Sequence, residues 1–99
     1  MTEELKVERE LLSPPGDDIL EIIESIKMNR IQLAELLEET ISEVNNLITG
    51  EGVVTSNIAL KLQKILGVDA QFWLNREMNY RTRLTRIEQK NHYINRRRR

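Results

Sequence analysis

Apolar residues recur at helical spacing in five stretches of this chain, and no stretch alternates convincingly as a strand would. Ile19, Ile22, Ile23 and Ile26 form the first stripe and predict a helix from Gly16 or Asp17 to Lys27. Asp17 and Asp18 suit its positive N-terminal end. Leu33, Ala34 and Leu37 mark a second helix beginning at Asn29, whose side chain can cap, with Gln32 at the capping-box position. Val44, Leu47 and Ile48 mark a third, which crosses the second where Ala34 is small enough for close approach. Thr40 can accept a backbone N–H at the start of that third helix. Glu43 is expected to complete the box, and Gly50 ends the helix without a Cβ penalty. Thr55 opens a fourth helix bearing Ile58, Ala59, Leu62, Ile65 and Leu66, and Gly67 stops it. Asp69 caps a fifth, whose Phe72 and Trp73 are expected to anchor the core because large rings dominate small interiors. Trp73, Tyr80, Leu84, Ile87 and Ile94 then fall near a heptad stripe that Glu77 and Asn91 interrupt. This pattern fits a long fifth helix packing on a partner chain and fraying in the nineties.

Composition narrows the class. A chain of 99 residues suits one domain, and with one tryptophan, two tyrosines and one phenylalanine its core is modest. A dimer interface would therefore add stability. There is no cysteine, which excludes a disulfide framework and a cysteine-based metal site. No apolar run approaches the ~20 residues that cross a bilayer. Glu3, Glu4, Glu8 and Glu10 are unlike the basic start of a signal peptide, so the expectation is a cytoplasmic protein without a membrane role. Ser13-Pro14-Pro15-Gly16 punctuates the chain sharply, although Leu5, Leu11 and Leu12 before it could pack. The predicted organisation is an acidic arm over 1–13, a domain over 14–83 and a basic C-terminal extension over 84–99.

The formal net charge of −1 conceals a strong polarity. Residues 1–52 hold 13 acidic and 4 basic side chains, net −9, whereas residues 53–99 hold 3 and 11, net +8. The halves face different partners, a basic protein and a nucleic acid, or pair with each other in a dimer, or are two solvated faces that differ in charge. The same alternatives apply to Arg96–Arg99, which either contact phosphate or form a solvated tail.

The helix pair at Leu33-Ala34 and Thr40-Ile41-Ser42-Glu43-Val44-Asn45-Asn46-Leu47-Ile48-Thr49-Gly50 resembles the helix-turn-helix of Cro/repressor-type (Xre-like) proteins. Three flanking segments narrow the resemblance: Pro14-Pro15-Gly16-Asp17-Asp18-Ile19-Leu20; Val54 to Leu62, running on to Leu66-Gly67-Val68; and Phe72-Trp73-Leu74-Asn75 with Asn79-Tyr80. In that order and spacing, from Pro14 to Arg83, they resemble HigA-type antitoxins of toxin–antitoxin modules. The resemblance implies an all-α, five-helix domain with a helical C-terminal extension. It also implies a homodimer that binds and neutralises a HigB-like, mRNA-cleaving toxin and represses its own operon at operator DNA. No cofactor is implied.

By family correspondence Arg30 would touch backbone phosphate, and Ile41, Ser42 and Asn46 would face base edges. Thr40 would stand at the start of this surface and Asn45 at its rim. Ser42 can donate or accept, Asn46 can read adenine bidentately and Ile41 can meet a thymine methyl. Glu38, Glu39, Glu43 and Glu51 lie near this surface and repel a polyanion, so the predicted DNA binding is weaker than the fold alone would give. Tyr80 and Arg81 are candidates for a dimer or toxin contact. His92 has no companion histidine or cysteine for a metal, and no nucleophile motif or phosphate-cradling glycine loop is present, so no catalysis is predicted. Two other readings fit the residues: a free-standing regulator with no toxin, and an interaction module that has lost DNA binding.

Overall fold

The computed structural model describes residues 12–97, with side chains through residue 90. Glu3, Glu4, Leu5, Glu8, Glu10 and Leu11, and the side chains of Asn91, His92, Ile94 and Arg96–Arg99, therefore lie outside the described residues. The elements are α1 (Pro15–Ser25), α2 (Arg30–Leu37), α3 (Ile41–Thr49), α4 (Ser56–Leu66) and α5 (Ala70–Arg97). All five predicted helices are present, and there is no strand among the described residues.

The local signals act much as their chemistry requires. Pro15 occupies the first turn of α1, where its missing N–H costs nothing. That helix ends at Ser25 rather than Lys27, because Lys27 turns to φ 58° and the Met28 amide reaches back to Ile23 O at 2.8 Å. Ile26, placed beyond the last helical turn, is 51% exposed instead of joining the stripe. Asn29 and Gln32 form a complete capping box at α2, with bonds of 2.8 and 2.9 Å. Glu38 follows at φ 60°, a left-handed position more usually given to glycine. Lys61 Nζ donates to Leu37 O at 2.8 Å and so places a cation at the negative end of α2.

The core gathers Ile19 and Ile23 of α1, Leu33 and Leu37 of α2, Val44 and Ile48 of α3, and Ala59 and Leu62 of α4 beneath Trp73 of α5. Trp73 is fully buried, but Phe72 is 40% exposed and meets it edge-on at 5.1 Å. Only one of the two predicted aromatic anchors is thus a core residue. Each fully buried side chain of this size contributes roughly 1.5–3 kcal/mol over leaving it in water. Close approach of α1 to α3 depends on Gly16: a Cβ there would stand 2.1 Å from the Ile48 carbonyl oxygen.

Candidate nucleic-acid interface

The second helix of the pair, α3, buries Val44, Leu47 and Ile48 and leaves Ile41, Ser42, Glu43, Asn46 and Thr49 exposed. Its apolar residues recur every third or fourth position, so the opposite face is presented to solvent as a polar strip. Thr40 Oγ1 accepts from the Glu43 amide at 3.1 Å and fixes the first turn. The expected return bond from the Glu43 carboxylate to the Thr40 amide is missing, so this capping box is only half formed, unlike the one at α2. Asn45 is half-buried, and its Oδ1 accepts from Arg30 Nη1 at 2.6 Å. That bond ties the start of α2 to the middle of α3, leaving Arg30 exposed beside the polar strip. A cleft of about 280 Å³ flanks the other side of α3, lined by Glu39, Glu43 and Asn46 and, across it, Thr55 and Asn57.

The far end of α3 is held differently. Glu77 of α5 is 6% exposed, and its Oε1 accepts from the Val54 amide at 2.8 Å while Oε2 accepts from Arg81 Nε. Arg81 Nη2 in turn donates to Gly50 O and, at 2.7 Å, to Gly52 O. An ion pair on α5, its carboxylate buried and its guanidinium partly exposed, therefore grips the segment that leaves α3. The orphan carbonyls at a helix C-terminus need such donors once they are removed from water. Gly50 itself has φ 89°, and a Cβ there would lie 2.8 Å from Tyr80 Oη. Arg76 makes a second tie from α5, to Asp18 Oδ2 at 2.6 Å, Pro14 O at 3.0 Å and Ser13 O at 3.1 Å.

Comparison with known proteins gives this geometry a family. No family profile matches the chain. The uncharacterised HTH-type transcriptional regulator YddM of Escherichia coli K12 is 33% identical over 61 residues, which are 62% of this chain and 65% of that protein. The chain thus spans a little under two-thirds of that relative. YbaQ of the same organism, also an uncharacterised HTH-type transcriptional regulator, is 35% identical over 95 residues, covering 84% of both chains. The chain belongs to the HTH-type transcriptional regulators. Solved structures place it on the HigA-like side of that group. A candidate antidote protein of a plasmid maintenance system from Nostoc punctiforme superposes with a TM-score of 0.75 at 27% identity, over 84% of this chain and 93% of that one. An addiction-module antidote protein of the HigA family from Coxiella burnetii gives 0.69 at 27% identity, over 86% and 92%.

In this HigA-like regulator the predicted interface residues fall into three groups. Arg30 and Asn45 are brought into contact; Ile41, Ser42 and Asn46 share the exposed part of α3; Thr40 works through its cap. Arg81, expected at an interface, is spent on the regulator's own Gly50 and Gly52 carbonyls. Glu77, which interrupts the apolar stripe of α5, is the buried partner that makes this possible. A lone carboxylate at a core-facing helical position, four residues before an arginine, was the available signal, since a buried charge must be paired.

Proposed function

We propose that this protein is an antitoxin which, as a homodimer, binds operator DNA to repress its own operon and neutralises a HigB-like toxin. The observation that carries the DNA part is the exposed polar strip of α3, Ser42, Asn46 and Thr49, flanked by the Arg30–Asn45 pair. The second helix of such a motif enters the major groove with its N-terminal residues at the base edges. Asn46 then offers the amide that pairs bidentately with adenine, Ser42 a hydroxyl, and Ile41 an apolar contact for a thymine methyl. Arg30, steadied by Asn45, meets the phosphate. Likeness to the HigA-family antidote protein supports the toxin part. The acidic character of the sequence from Glu3 to Glu24 complements a basic toxin, whose catalytic residues it would cover or whose ribosome docking it would block.

The experiment is co-expression with the neighbouring open reading frame. Growth arrest by the neighbour alone, relieved by a stable complex with this protein, is the expected outcome. A harmless neighbour that forms no complex would favour the second reading, a free-standing regulator. The regulator names carried by both curated relatives support that second reading.

A further inference from the structure

The first turn of α3 carries a carboxylate that no neighbour uses. Glu43 is exposed, and among the described residues its side chain makes no hydrogen bond and no ion pair. It is not consumed by the capping box, since only the Thr40 half of that box is formed. It lines the 280 Å³ cleft with Glu39, Asn46 and Asn57, above a floor formed by the buried Leu47 and Ile58. Among the described residues no lysine or arginine lines that cleft. Phosphate is therefore a poor occupant on this flank, because two carboxylates and two amides offer it no cation.

We infer that Glu43 reads a cytosine in the operator and thereby sets base preference on this flank of α3; the inference rests on the operator-binding reading above. An ionised carboxylate only accepts hydrogen bonds. In the major groove guanine presents two acceptors, and thymine an acceptor and a methyl group. Adenine sets an acceptor beside its amine, and only cytosine presents a donor alone. Glu43, third residue of α3, belongs to the N-terminal turn, the part of such helices whose side chains meet base edges. The carboxylate thus rewards cytosine and rejects guanine and thymine by like-polarity contact. Asn46, on the same wall of the cleft, has the complementary amide for a neighbouring adenine.

The test begins by selecting duplexes from a randomised pool with the full-length protein. Affinities are then measured for the enriched sequence and its single-base variants, using the wild type, Glu43→Ala, Glu43→Gln and Glu39→Gln at two salt concentrations. Glu43 is exposed and its backbone amide keeps the Thr40 cap, so a thermal melt should show all variants folded. The wild type should lose roughly 5- to 150-fold when one particular cytosine is replaced. Glu43→Ala should lose that discrimination while keeping the others. Glu43→Gln should shift the preference at the same position toward adenine, whose paired donor and acceptor match a side-chain amide. Glu39→Gln should change all affinities by a common factor. If Glu43→Ala tightens every duplex alike and leaves the base preferences intact, the carboxylate merely repels DNA and the inference is overturned. An unenriched pool would instead bring down the operator-binding reading itself.

Discussion

The two ends of α3 are built on opposite plans. The C-terminal end is closed: the carbonyls of Gly50 and Gly52 just beyond it accept from Arg81, a buried glutamate holds that arginine, and Gly16 lets α1 press against Ile48. The N-terminal end is open: one hydroxyl caps it, the box is half made, and Glu43 is free in a cleft. Rigid support at one end and unsatisfied polar groups at the other is what a reading element needs, because recognition is sharp only when the reader's position is fixed in advance. The contrast also separates residues that hold α3 from those it presents.

The closed end should be the costlier to break. Glu77→Ala leaves the buried Val54 amide without its acceptor and Arg81 without its carboxylate, and should lower unfolding free energy by about 2–3 kcal/mol in urea titration. A loss below about 1 kcal/mol would mean that water replaces the clamp easily. Gly16→Ala forces a methyl group into the Ile48 backbone, and should cost about 2 kcal/mol as α1 and α3 separate. A crystal structure of that variant showing the two helices unmoved would contradict the close-approach argument. Thr40→Ala removes only the cap at the open end and should cost about 1 kcal/mol. Hydrogen exchange should show faster exchange at the Glu43 amide, with protection around Gly50 unchanged. If exchange rises equally at both ends, α3 responds as one unit and the contrast between its ends is not functional.

Much of the fold could be read from the chain because its signals are local. Asn29, Thr40, Thr55 and Asp69 each accept from an amide two or three residues ahead, so side chain and target share one short window. Apolar spacing placed Val44, Leu47 and Ile48 inward, and thereby Ser42 and Asn46 outward. The clamp was not legible in this way. Glu77 reaches Val54 across 23 positions and Arg76 reaches Asp18 across 58; the core-facing place of Glu77 signals a paired charge, but neither distant partner can be read from local spacing. Glu43 shows the converse error. Its spacing from Thr40 satisfies the capping-box pattern, but Thr40 alone supplies the cap and the carboxylate lies in the cleft instead. The candidate site was therefore legible as a face of α3, but its rigidity and its acidic flank depend on side-chain choices that no local rule decides.

The position of α5 after α1 to α4 has a consequence for synthesis. Trp73, Arg76, Glu77 and Arg81 all belong to α5, so the ribosome delivers the lid of the core and both ties after everything they hold. Until it emerges, the apolar side chains of α1 to α4 lack Trp73, and the Gly50 and Gly52 carbonyls lack their arginine. Chains are made at roughly 5–20 residues per second, slower than helices pack, so this half-built state is a real interval in the life of every molecule. Completion of the reading element is thus timed by translation: a chain truncated within α5 has the helix-turn-helix sequence but lacks the part that holds it still.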